Sequence, residues 1–154
     1  MLRSEPRMTI LALALGTPLR GDDAAGSAIA RGLEALLPGL EVVEATELLP
    51  EHAEAAARVD GVLFLDASVS GTPGEVRVAL VAPRPARAAV LHALLPEEIL
   101  GLARALYGRA PPAALVTVAG KDFAFGDGLS AEVEAALPEA RRCAVEAARA
   151  FNAA

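Results

Sequence analysis

Two short runs with no polar face constrain this chain more than any other feature. Thr9–Leu15 (TILALAL) and Gly61–Leu65 (GVLFL) are apolar at odd and even positions alike, so a strand built from either must bury both faces. That is what a central parallel strand needs when helices cover each side of the sheet. Leu40–Val43 and Leu115–Val118 read as further strands, and Glu75–Val81, interrupted by Arg77, as an edge strand of antiparallel sense. Helices fill the gaps. Ala24–Leu37 carries Ala25, Ile29, Leu33, Leu36 and Leu37 on one stripe of 3.6-residue period and stops at Pro38-Gly39. Pro50–Arg58 and Pro96–Tyr107 each open on a proline at the first helical position. Ser130 caps a last helix through Phe151, which Pro138 is expected to kink or divide. This alternation predicts an α/β fold, a three-layer α/β/α sandwich whose mostly parallel central sheet has about five strands.

The 154 residues are expected to form a single domain over 1–154, with residues 1–8 a flexible or misassigned start, because the first strand begins directly after Met8. Cys143 is the only cysteine, which excludes an intrachain disulfide framework or a CxxC metal or redox module and leaves a small core residue as its reading. The longest charge-free runs span about a dozen residues, against about 20 needed to cross a bilayer. With a net charge of −6 and arginines scattered among more numerous acids, the dense positive stripe of a nucleic-acid surface is missing. A cytoplasmic monomer with neither nucleic-acid nor membrane partners is the expectation.

In an open parallel sheet, ligands bind beyond the carboxyl ends of the strands. Two acidic positions fall there. The first strand runs into Gly16-Thr17-Pro18-Leu19-Arg20-Gly21-Asp22-Asp23, and the third ends in Asp66. The glycines of the first loop lie five apart and no Gly-Lys-Ser/Thr follows, so neither a dinucleotide nor a Walker-type phosphate loop fits. Two carboxylates at the helix start also oppose an anion. Asp22 reads as the helix N-cap, which leaves Asp23 without that task. Asp66, at the end of a buried strand, needs donors or a cation to offset its burial, or else ties the turn that follows. His52 lies in a polar stretch and reads as solvated, whereas His92 sits in the mostly apolar Val90–Leu95, just before the Pro96 helix. Two carboxylates and one imidazole are a sensible open ligand set for nickel or zinc, and equally an acid/base arrangement without metal. No GxSxG motif points to a serine hydrolase.

Taken together, these segments resemble the hydrogenase maturation proteases, the endopeptidases that trim the C-terminal extension of the [NiFe] hydrogenase large subunit. The family pattern of a strand followed by Gly-Asn-x-Leu-x-x-Asp-(Asp/Glu)-Gly-x-Gly is matched by LALGTPLRGDDAAG through Gly16, Leu19, Asp22, Asp23 and Gly26. A strand ending in Asp-Ala is matched by VLFLDASVSG, a histidine before a Leu-Pro segment by LHALLPEEILGLA, and a late polar turn by KDFAFGDGLSAEV. The resemblance covers nearly the whole chain in order and implies the same three-layer fold. It further implies that Asp23, Asp66 and His92 are the catalytic and metal-meeting residues. The metal that the resemblance implies is Ni2+ carried by the hydrogenase large-subunit precursor, with Zn2+ or Cd2+ able to substitute. Thr17 stands where the family has Asn, and Ala24 where it has Gly. Thr lacks the paired donor and acceptor of a carboxamide, and Ala loses the left-handed geometry open to Gly. These departures motivate the alternative of a nonproteolytic assembly factor or metal-binding interaction module of the same fold.

Overall fold

The computed structural model describes residues 8–87, 93–126 and 128–153. Its strands are β1 (Ile10–Leu15), β2 (Leu40–Ala45), β3 (Gly61–Ser68), β4 (Val76–Leu80) and β5 (Ala113–Ala119), hydrogen-bonded in the order β2-β1-β3-β5-β4. All neighbouring pairs are parallel except β4 on β5, which is the antiparallel edge that Arg77 suggested. Side-chain alternation along β1 sets the layers. Ile10, Ala12 and Ala14 belong to one buried cluster with α1 (Ala25–Ala30), α2 (Leu33–Leu36) and α5 (Ala131–Ala150). Leu11, Leu13 and Leu15 belong to a second cluster with α3 (Glu51–Ala57) and α4 (Pro96–Tyr107). Each strand face thus meets its own helical layer, and the predicted α/β/α sandwich is the structure. No described helix is long and apolar enough to cross a membrane.

Three local expectations are corrected. The helix read over Ala24–Leu37 is broken: a 3-10 turn at Gly21–Ala24 precedes α1, and Gly32, at φ +90°, separates α1 from α2. Only glycine takes that backbone conformation without strain, and the turn rotates Leu36 out of the buried stripe to 48% exposure. The last helix is not divided at Pro138, for α5 runs continuously from Ala131 to Ala150. Pro138 and Glu134 both lie on its exposed side, where a carbonyl that lacks its helical N–H donor need not be buried unpaired. His52 is buried rather than solvated, and its Nδ1 accepts the Leu49 N–H at 2.8 Å, securing the entry to α3. The polar residues around it do not keep it in solvent, because an imidazole that accepts one backbone N–H can be buried at a helix start.

Candidate functional site

The carboxyl edge of the sheet is uneven, and that unevenness makes the site. Pairing between β1 and β3 stops at Ala14↔Leu65, while β3 continues beside β5 through Asp66↔Thr117 to Ser68↔Ala119. Asp66 is therefore inside a strand, not beyond its end as the sequence suggested. On its β1 side the pairing has already stopped, and β1 itself ends at Leu15, level with Asp66, where its loop leaves the sheet. Gly16 opens this loop at φ +117°, where a Cβ would run into the Asp23 carbonyl oxygen. The loop folds back on itself, and the Thr17 N–H donates to Asp23 Oδ2 at 2.8 Å. Gly26 presses α1 onto the same edge: a Cβ there would lie 2.5 Å from the Leu65 carbonyl oxygen and 2.6 Å from that of Leu15. Asp23, three residues earlier, is held beside the ends of both strands.

Neither departure in the loop damages this geometry. Ala24 has φ −79°, an ordinary right-handed value that needs no glycine. Thr17 contributes its backbone N–H to Asp23, and its Oγ1 accepts from the Leu19 N–H at 3.3 Å.

Asp23 and Asp66 come together electrostatically. Burial pushes the Asp66 carboxyl up, the Ala67 N–H at 2.8 Å opposes the rise, and the negative charge of Asp23 adds to it, so that Asp66 titrates at about 6. A carboxyl poised there is protonated or ionised by small changes in its surroundings, the condition for acid/base work or for accepting a cation.

Asp22 does not cap the helix, contrary to the sequence reading. Its carboxylate is fully buried and accepts three backbone N–H groups: Lys121 at 2.7 Å and Asp122 at 3.0 Å on Oδ2, and Ser130 at 2.7 Å on Oδ1. Burial raises its pKa, but these donors and the Ser130 hydroxyl outweigh it and hold Asp22 below the usual carboxylate range. Asp22 thus ties the 121–130 loop to the acidic pair. A parallel bridge between Arg20 and Gly126 and the Phe123 ring against Gly120 complete that junction. The sequence carried one signal for it, namely two adjacent acids of which only one can cap.

His92 lies outside the described residues. The chain on both sides of it is secured by Glu98, a fully buried carboxylate that sequence reasoning assigned only to the helix dipole. Arg87 donates to Glu98 through its backbone N–H at 2.8 Å and through its guanidinium at 3.2 Å, and the Leu95 N–H donates at 2.9 Å. The Arg87 guanidinium comes first among the contacts that lower the Glu98 pKa to about 2. The signal was legible, since an acid three residues into a helix is the reciprocal half of a capping box. Among the described residues, no three potential ligands of the His, Cys, Asp and Glu types gather at one point. Cys143, partly buried in α5, plays no part in the site.

Two carboxylates, Asp23 bonded to the Thr17 N–H and Asp66 held up by burial, form a half-open ligand set at the edge of the sheet. Such a pair can meet a divalent cation or orient a water. Solved structures of this shape are known. The hydrogenase maturating endopeptidase HybD from E. coli is similar over 92% of this chain and 93% of its own, at 26% identity and TM-score 0.73. The [NiFe] hydrogenase maturation protease HybD from Thermococcus kodakarensis is similar over 92% and 99%, at 26% identity and TM-score 0.66. The protease HycI from the same archaeon shares the fold at 20% identity, over 93% and 94%, with TM-score 0.68. No protein-family model and no curated protein sequence matches the chain.

Proposed function

We propose, for a chain whose structure matches the [NiFe]-hydrogenase maturation protease family, that it is an endopeptidase removing the C-terminal extension of a [NiFe] hydrogenase large-subunit precursor once nickel has been inserted. The observation that carries this reading is the convergence of Asp23 and Asp66 at the carboxyl edge, close enough for one charge to raise the pKa of the other. Two carboxylates are too few for a tight resident metal site, and they suit a metal that arrives already held by a partner. His92 is the third member. It lies four residues before α4, which leads directly into β5 and so starts at the carboxyl edge of the sheet. Strand alternation places Asp66 with Val62 and Phe64 on the α4 side.

In this mechanism nickel belongs to the substrate. Asp23, Asp66 and His92 meet it and so fix the scissile peptide beside the two carboxylates. One carboxylate orients a water and takes its proton as the oxygen attacks the peptide carbon. The carbon–nitrogen bond then breaks, and the proton passes to the departing amine.

The test is the intact mass of a nickel-loaded precursor after incubation with the wild type, Asp23→Asn and Asp66→Asn. Trimming by the wild type and none by either variant is expected. Undiminished trimming by both variants overturns the site assignment. A stable complex with unchanged precursor mass supports the nonproteolytic assembly factor instead.

A further inference from the structure

A second recess opens on the other flank of the same loop. On the α1/α5 side of the carboxyl edge is a cavity of about 440 Å³, in the size range of sites that hold a small ligand or a few residues of peptide. Ala24, which follows Asp23, and Pro18, which follows the Thr17 bonded to Asp23, form its near wall, and Ala28, Leu129 and Leu137 give it an apolar floor. Its charged groups are unusual for a chain of net charge −6. Arg31 and Arg141 both line it, and neither has an acidic partner among the described residues, although Glu134 stands on the same wall. Arg141 is fixed: its Nη2 donates to the Ala28 carbonyl at 2.7 Å and its Nε to that of Ile29 at 3.2 Å. Those bonds use one edge of the guanidinium and leave its remaining N–H groups for another acceptor. Arg31, at the end of α1, is exposed.

We infer that this cavity is a subsite for a carboxylate-bearing segment of the polypeptide substrate, with apolar side chains on Ala28 and Leu137 and the carboxylate between Arg31 and Arg141. A preorganised arginine beside an apolar floor is what recognition of a planar acid requires, because the fork of donors is already oriented before the ligand arrives. Position supports a substrate role. Ala24 forms the wall of the cavity and Asp23 belongs to the acidic pair, so a peptide crossing the carboxyl edge reaches both. The inference rests on the endopeptidase reading for the identity of its ligand, but its chemistry can be tested without turnover. The carboxylate is either an Asp or Glu side chain within the segment or a free chain end.

Three short acetylated alanine–leucine peptides separate these sources: one with a single Asp and an amidated end, one with Asn in its place and an amidated end, and one with Asn and a free carboxylate. Binding is followed by amide shifts of Ala28 and Leu137 in the full-length, metal-free chain. Saturable shifts with one or both acidic peptides and none with the neutral amide are expected. Arg31→Glu should weaken binding by about tenfold or more, the weight of one charge-assisted hydrogen bond, with an unchanged melting temperature. Arg141→Lys, which keeps the charge but loses the fork, should weaken it as well. Equal binding of all three peptides, no shifts at millimolar peptide, or Arg31→Glu binding like the wild type overturns the subsite. Precursor trimming is scored separately. Arginine-dependent binding by a chain that trims nothing supports the subsite and removes the endopeptidase reading, whereas trimming with no peptide preference does the reverse.

Discussion

Replacing Asp66 with Asn should make the metal-free chain more stable while it abolishes precursor trimming. The magnitude follows from the titration of the wild-type group. A free aspartate titrates at 3.8 and Asp66 at about 6 in the folded chain, so between those two values the folded state holds more protons than the unfolded one. Stability therefore falls as pH rises through this window and is flat above it. About two pH units at roughly 1.4 kcal/mol each make ionised Asp66 cost the fold on the order of 3 kcal/mol. Asn removes the charge and keeps an oxygen for the Ala67 N–H. Its partly buried amide gives back about 1 kcal/mol, leaving a net gain of about 2 kcal/mol at pH 8. For a chain of this size that is a rise of roughly 4–8 °C in melting temperature. Urea denaturation of both proteins from pH 4 to 8 measures it as a difference curve, which should be small at pH 4 and open towards pH 8. A difference independent of pH, or an Asn variant less stable than the wild type at pH 8, refutes the argument that burial and the Asp23 charge strain this carboxylate.

Three further outcomes follow from the contacts. Gly26→Ala drives a methyl group against the Leu15 and Leu65 carbonyls. It should cost about 1–3 kcal/mol by thermal denaturation and slow trimming as α1 lifts from the strand ends. Asp22→Ala leaves the N–H groups of Lys121, Asp122 and Ser130 without their acceptor. It should cost at least about 2 kcal/mol, and hydrogen exchange should lose protection at those three amides first. Glu98 titrates at about 2 in the folded chain against 4.5 for a free glutamate, so its stabilisation is present above 4.5 and lost as pH falls towards 2. Glu98→Gln should flatten the acid limb of the denaturation profile over that interval, as followed by circular dichroism.

The layers and the sheet were legible because two strands with no polar face admit only one environment. The edge position of β4 followed from Arg77, a charge that a central strand could not bury. Local geometry was harder wherever alanine blurred the period. The stripe through Ala25, Ile29 and Leu33 predicted one helix across Gly32, and only the positive φ of that glycine shows why it is two. Asp23 and Asp66 were legible as acids near the carboxyl edge, although Asp66 lies inside β3 and not at its end. Their approach depends on β1 ending while β3 continues, a register difference that no local pattern records. Asp22 and Glu98 were read as ordinary helix-start acids because their donors, at Lys121, Ser130 and Arg87, are distant in sequence or lie in a connection without periodicity.

The most direct test of a site that meets nickel carried by its partner compares one precursor in two states. The wild-type chain is mixed with the nickel-loaded and the nickel-free large-subunit precursor, and the intact mass of each is followed over time. Loss of the C-terminal segment from the loaded precursor alone is the expected result. Equal trimming of both forms, or an unchanged mass in both despite complex formation, contradicts it.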